Sequence, residues 1–319
     1  MVEKVILAKP RGFCAGVARS IKVVEDCISL FSAPVYVKHA IVHNTTVVAD
    51  LEKIGAITVE NVDDVPEGAV VVFSAHGSPP EHYDAARARR LTVIDATCPL
   101  VTKVHIEIAR YIRDGYSVVY VGHRGHVEGI GVRGEAAKVG VTVPLVDNLS
   151  EVNTLAYPED AKIAILTQTT LSVDETSDII AAIRKKYKNA VEPPTKDICY
   201  ATTNRQGAVK ELANVADVIL VVGSKTSSNS NRLVQVAREK GIAAYLIDGV
   251  GDIASEMYEN KKIVGISAGA SAPEKNVQEV VRHFTDEGSL VEELEVLKEQ
   301  MHFTPPPELS RIMKEKRGA

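Results

Sequence analysis

Short runs of aliphatic residues recur along this chain, and each ends abruptly in a polar, glycine- or threonine-bearing cluster. Val70–Phe73 runs into Ser74-Ala75-His76-Gly77, Val118–Val121 into Gly122-His123-Arg124-Gly125-His126, and Ile163–Leu166 into Thr167-Gln168-Thr169-Thr170. Val218–Val222 leads into Gly223-Ser224-Lys225-Thr226-Ser227-Ser228-Asn229, and Ile263–Ile266 into Ser267-Ala268-Gly269-Ala270-Ser271. Unbroken apolar runs of this length suit strands buried on both faces, and the amphipathic stretches between them suit crossover helices. The pattern predicts an α/β fold with largely parallel sheets. In such sheets ligands collect beyond the carboxyl ends of the strands, where nearly all of these clusters fall. A site built from many loops is expected.

Composition narrows the class. Hydrophobic residues make up 45% of the 319 and Trp is absent, so full cores must be built from Val, Ile, Leu and Ala. A net charge of −5 argues against a general nucleic-acid binder, which needs a basic stripe. A small anion stays compatible, because backbone N–H groups and a few side chains hold it whatever the net charge. No run approaches the roughly 18–20 apolar residues of a membrane span. The first residues, Met1–Ala8, read as a strand with no signal-peptide core, so a cytoplasmic chain with reduced thiols is expected.

Three of the four cysteines stand in loop-like segments. Cys14 lies in Arg11-Gly12-Phe13-Cys14-Ala15-Gly16, Cys98 in Asp95-Ala96-Thr97-Cys98-Pro99, and Cys199 in Asp197-Ile198-Cys199-Tyr200-Ala201-Thr202-Thr203-Asn204-Arg205. They are too far apart for a zinc knuckle or a ferredoxin run. Brought together, they would give three protein ligands and one open position, as a catalytic metal centre requires. Cys27 differs: it borders the stripe Val17, Ile21, Val24, Ile28 at helical spacing and reads as a small core residue. One thiol segment opens each third of the chain. We expect three similar α/β units, 1–97, 98–194 and 195–285, followed by an extended strap, 286–319.

His43, His76, His123 and His126 occupy Gly- or Asn-flanked loops after strands, and His126 and Glu128 alternate along what reads as a short extended segment, so both can face one cavity. A carboxyl group held there away from water has a raised pKa and can donate a proton. Gly223–Arg232 follows a buried strand and opens a helix. Its row of hydroxyls and amides suits phosphate oxygens, with an ordinary N-cap as the bland alternative. Gly269–Pro273 offers a smaller anion nest. Neither a nucleoside-triphosphate loop nor a dinucleotide fingerprint is present.

Taken together, Pro10–Val17, Ala96–His105, Thr167–Ser172, Asp197–Arg205 and Gly223–Arg232 resemble the 4-hydroxy-3-methylbut-2-enyl diphosphate reductase family. The resemblance spans about Leu7 to Ala272. It implies a clover-like, pseudo-threefold arrangement of three α/β units around a central [4Fe-4S] cluster on Cys14, Cys98 and Cys199. It implies diphosphate binding by His43, His76, His126, Ser227, Ser228, Asn229 and Ser271, with Thr169 orienting the substrate hydroxyl and Glu128 as proton source. The activity implied is reductive dehydroxylation of the allylic diphosphate to isopentenyl and dimethylallyl diphosphate, with electrons from a ferredoxin or flavodoxin-type donor. His126 and Thr169 would relay the proton. One departure is visible: Val127 stands where the family often has Pro, which predicts a more mobile loop around Glu128. An aconitase-type hydro-lyase and a non-enzymatic three-thiol sensor are the competing classes.

Overall fold

The computed structural model describes residues 2–318. The first half of the chain runs β1 (Lys4–Lys9), α1 (Ala15–Phe31), β2 (Val35–Lys38), α2 (Thr45–Lys53), β3 (Ala56–Val59), β4 (Val70–Phe73), α3 (Pro80–Ala88), β5 (Thr92–Asp95), α4 (Pro99–Arg113), β6 (Ser117–Val121) and α5 (Val127–Ala137). It continues through β7 (Leu145–Val146), β8 (Ile163–Thr167), α6 (Val173–Lys186), β9 (Ala190–Val191), α7 (Tyr200–Leu212), β10 (Val218–Val222), α8 (Ser228–Glu239) and β11 (Ala243–Ile247). Last come β12 (Ile263–Ala268), α9 (Glu274–Thr285), β13 (Leu290–Glu295) and α10 (Pro307–Gly318).

The strands form three sheets, ordered β11-β10-β12-β1-β13, β3-β2-β4-β5 and β7-β6-β8-β9, and every pairing is parallel. The chain divides into two compact units. One comprises Met1–Val17, His43–Val47 and Tyr200–His302; the other comprises Ala18–Val42, Val48–Cys199 and Phe303–Ala319.

Burial on both faces explains the unbroken apolar runs. In the first unit Val5, Leu7, Val218, Leu220 and Val222 pack on one side of the five-stranded sheet. Ile6, Ala8, Ile219 and Val221 pack on the other. The second unit repeats this in its β6–β9 sheet, with Val119, Val121, Ile163 and Ile165 on one face and Val118, Tyr120, Ala164 and Leu166 on the opposite face. Each face is then roofed by the crossover helices that parallel pairing demands.

Two placements differ from the linear division 1–97, 98–194, 195–285 and 286–319. Strand β1 does not join the β2–β5 sheet but sits between β12 and β13. Its residues Val5–Ala8 are buried on both sides, so it needs an interior position with partners on each edge. The segment after residue 285 is not simply an extended strap. Leu290–Glu295 pairs with β1 as an edge strand, where Glu292 and Glu293 meet Lys4 and Arg11. The chain then ends in α10, whose Leu309 is fully buried. Proline at the first helical position is compatible with helix, since its missing N–H has no intrahelical partner there.

Among the described residues no helix is long and apolar enough to cross a membrane. Burial ranks the strands by their contribution to stability. Leu220→Ala, at a fully buried position on β10, is expected to cost about 2–5 kcal/mol. Leu290→Ala, at an edge position 68% exposed, should stay within about 0.5 kcal/mol of wild type. Urea midpoints of the two variants check this ordering, and equal midpoints would contradict it.

Candidate active site

In the first unit the polar loops at the ends of β1, β10 and β12 are tied together by the peptide of Ala270. Its carbonyl accepts the Cys14 N–H at 3.2 Å, and its N–H donates to Asn229 Oδ1 at 2.9 Å. The neighbouring Ser271 hydroxyl donates to the His43 carbonyl at 3.0 Å. Cys14, Asn229, Ser271 and His43 are thus gathered by one loop. Two glycines permit it. Gly12 has φ of +64° with the Ala272 carbonyl 3.2 Å from where a Cβ would lie. A Cβ on Gly269 would collide with the Ser230 side chain.

Ser227 caps α8: its Oγ accepts the Ser230 N–H at 3.2 Å and the Ser230 hydroxyl at 3.0 Å. The bland N-cap reading therefore holds for Ser227. It does not preclude anion binding, because the capping oxygen still has its own proton to donate. Ser228 stands half-buried at the first position of α8, where the helix dipole favours negative charge. Asn229 is more occupied: its amide group also reaches Thr202 Oγ1 at 3.4 Å.

The second unit holds the candidate acid. Glu128 is 2% exposed, and its carboxylate receives two bonds from one residue: Thr169 N–H at 2.7 Å to Oε1 and Thr169 Oγ1 at 2.8 Å to Oε2. Burial pushes the carboxyl up to about 7, against the opposing pull of the two Thr169 bonds. The Thr169 carbonyl in turn accepts the Cys199 N–H at 3.0 Å. His126 Nδ1 accepts the Glu128 N–H at 3.3 Å, and the His126 and His76 rings meet edge to face at 6.4 Å. Ala75, next to His76, accepts the Cys98 N–H at 3.0 Å. Cys98, Cys199, His76, His126, Glu128 and Thr169 are therefore brought into one connected set.

The extended segment expected for His126–Glu128 is not found. His126 is the N-cap of α5, and Glu128 lies in its first turn. Val127 stands at the first position of α5, and Glu128 beside it is bonded to Thr169. His123 points elsewhere, with Nδ1 2.9 Å from Asp147.

Comparison with known proteins follows the same lines. The family profile described as LytB protein matches residues 5–285. The chain belongs to the LytB family. A curated relative from Nitrosomonas europaea, named 4-hydroxy-3-methylbut-2-enyl diphosphate reductase, is 46% identical over 310 residues, covering 95% of this chain and 96% of the relative. One from Actinobacillus succinogenes with the same name is 48% identical, covering 96% and 98%. The solved E-1-hydroxy-2-methyl-but-2-enyl-4-diphosphate reductase from Plasmodium falciparum superposes with a TM-score of 0.96 at 36% identity, over 99% of this chain and 100% of that one.

In this LytB-family chain the thiols divide three to one. Cys14, Cys98 and Cys199 are half-buried and each immediately precedes a helix, α1, α4 and α7. Val17 N–H approaches Cys14 Sγ at 3.4 Å. The positive end of a helix suits a thiolate ligand. None of the three is in a disulfide, and each is a soft donor at a helix start, the chemistry that suits a ligand of an iron-sulfur cluster. Cys27 is fully buried in α1, and burial pushes its thiol up to about 12.

Several supporting residues were not singled out from sequence. Asp197, with its side chain 1% exposed, accepts Thr167 N–H at 2.9 Å and the Lys103 ammonium at 3.0 Å, which joins the Cys199 loop to β8 and α4. The Tyr200 hydroxyl accepts Ala15 N–H at 3.1 Å beside Cys14. Arg205 is wholly buried against the carbonyls of Gly12 and Phe13. All three lie inside the Asp197–Arg205 motif, and a charged residue inside an otherwise small and polar motif was the signal available.

Thiol chemistry checks the division. In cluster-free protein at mildly alkaline pH, iodoacetamide should label Cys14, Cys98 and Cys199 and leave Cys27 unmodified until the chain is denatured. Peptide mass mapping reads this directly, and early labelling of Cys27 would contradict its burial.

Proposed function

We propose that this chain carries out the reductive dehydroxylation of 4-hydroxy-3-methylbut-2-enyl diphosphate to isopentenyl and dimethylallyl diphosphate, with Cys14, Cys98 and Cys199 holding a [4Fe-4S] cluster. Overall the reaction consumes two electrons and two protons and releases water. When bound, the cluster supplies electrons and, with only three thiolate ligands, an iron open to substrate. The electrons come from a separate ferredoxin or flavodoxin-type carrier, in keeping with the missing dinucleotide fingerprint.

The observation that carries the reading is the Glu128–Thr169 pair beside Cys199. Thr169 N–H donates to Oε1 in either protonation state, so the proton of the neutral acid belongs on Oε2. Oε2 faces Thr169 Oγ1. A proton leaving Oε2 passes to Thr169 Oγ1, whose own proton turns toward the substrate hydroxyl. Thr169 thus both orients that hydroxyl and delivers the proton that lets it depart as water. A carboxyl with its pKa near 7 is half protonated at neutral pH, which suits an acid that must be reloaded each turn.

The other end of the substrate is held as an anion. The resemblance assigns the donors to His43, His76, His126, Ser227, Ser228, Asn229 and Ser271. This anchoring converts binding energy into alignment of the reacting carbon–oxygen bond.

Anaerobic oxidation of reduced methyl viologen that depends on the allylic diphosphate tests the activity. Substrate turnover without electron consumption would point to the hydro-lyase class. Glu128→Gln keeps the side-chain shape but carries no acidic proton, so it should retain cluster colour and substrate affinity while turnover falls about 10²–10⁴-fold. In wild type, turnover should decline as pH rises through about 7, because the proton-bearing form of Glu128 is lost there. A mutant within a few-fold of wild type would assign the proton to another donor.

Ser228→Ala removes a hydroxyl donor without uncapping α8. Affinity for inorganic diphosphate, measured by calorimetry, should fall by about 1.5–3 kcal/mol, with the cluster spectrum unchanged.

A further inference from the structure

The LytB match ends at residue 285, yet carboxylates beyond it bond Arg205, which holds the loop before Cys14, and Asp95, three residues before Cys98. In the first unit the link runs through Arg205. Its guanidinium donates to the Gly12 carbonyl at 3.0 and 2.7 Å and to the Ala201 carbonyl at 3.0 Å. Its charge is met by Glu299 through Nη1–Oε1 at 3.0 Å and Nη2–Oε2 at 3.3 Å, and Asn204 Nδ2 donates to the same Oε1 at 3.0 Å. A wholly buried guanidinium needs a counter-charge, because its desolvation is otherwise uncompensated. Glu299 therefore sets the position of the group that holds Gly12, two residues before Cys14.

A second contact is made independently in the other unit. Arg19 donates to the Ala96 and Thr97 carbonyls at 3.2 and 3.0 Å, and to the Thr304 carbonyl at 2.7 Å. Glu308 Oε1 accepts the Asp95 N–H at 2.8 Å, and Asp95 Oδ1 accepts the Thr97 N–H at 2.9 Å. Leu309, fully buried, fixes the start of α10 beside these bonds. Here the C-terminal segment bonds a backbone N–H directly, three residues before Cys98.

We propose that residues 296–309 form a two-point brace, with Glu299 and Glu308 as positioning residues that hold the Cys14 and Cys98 loops in a cluster-binding conformation. The inference rests on the reading of Cys14 and Cys98 as cluster ligands. Glu299 acts on the Cys14 loop through the Arg205 side chain, and Glu308 bonds the last residue of β5, so neither contact falls within a hydrophobic core. Loss of the brace should therefore loosen the loops and weaken cluster retention more than it lowers global stability.

The test uses the full-length chain carrying Glu299→Ala, Glu308→Ala or Arg205→Lys, with Ile183→Val as a core change in α6. Amide hydrogen exchange of cluster-free protein is followed across residues 12–17 and 95–101. Iron release to a chelator and visible circular dichroism are followed after reconstitution. Glu299→Ala and Arg205→Lys should speed exchange at 12–17, and Glu308→Ala at 95–101. The variants should release iron about 10-fold faster, with an altered visible dichroism. Ile183→Val should move none of these. Should Glu299→Ala fail to fold, Glu299→Gln, which keeps one acceptor oxygen, carries the same comparison. Wild-type exchange and iron release in the folded variants would overturn the brace. A wild-type protein that takes up no cluster would instead overturn the cysteine assignment, and the exchange measurements would still decide the brace.

Discussion

Each cysteine that begins a helix here is anchored through its own backbone N–H to a carbonyl in a neighbouring loop: Cys14 to Ala270, Cys98 to Ala75, Cys199 to Thr169. A loop at a strand end carries unpaired amides, and a buried unpaired amide costs free energy. Pairing them between loops satisfies the amides and sets where each thiol stands relative to the polar residue beside its acceptor. Those residues are Ser271, His76 and Thr169 itself. The position of each thiol is therefore coupled to that of a polar side chain through a single hydrogen bond.

The electrostatic design follows from the same economy of partners. Glu128 accepts both bonds from one residue, and its own N–H is taken by the His126 ring. The carboxyl is kept dry by burial yet pre-aligned, so its raised pKa comes from desolvation opposed by well-placed donors. Asp197, equally buried, has a different environment: a lysine ammonium at 3.0 Å and a strand-end amide. Glu128 and Asp197 are thus set apart by their neighbours: Glu128 is bonded by Thr169, whereas Asp197 ties the Cys199 loop to β8 and α4.

Strand positions were legible because burial on both faces leaves runs such as Val218–Val222 and Ile163–Leu166 unbroken, and their polar successors marked the ligand edge. The division of Cys27 from the others was legible from its helical spacing. The setting of Glu128 was read only in part. Alternation suggested an extended segment, whereas His126 can cap a helix, and a single residue pair cannot distinguish a period of two from a first helical turn. The sheet membership of β1 was not legible, because a strand apolar on both faces says that it is central without saying in which sheet. Arg205 and Glu299 escaped for a related reason: long-range ion pairs leave no local periodicity.

The insertion of β1 between β12 and β13 bears on how the protein is made. β1 pairs with two strands that lie far along the chain, Ile263–Ala268 and Leu290–Glu295, so the five-stranded sheet closes only after those strands have been made. The sheets of β2–β5 and β6–β9 use strands close in sequence and can form earlier, since short loops close at lower entropic cost. Until β12 and β13 have been made, Val5–Ala8 lacks both strand partners and Cys14 lacks the Ala270 carbonyl that takes its N–H. Anchoring of Cys14 therefore waits on the long-range pairing of β1 with β12 and β13.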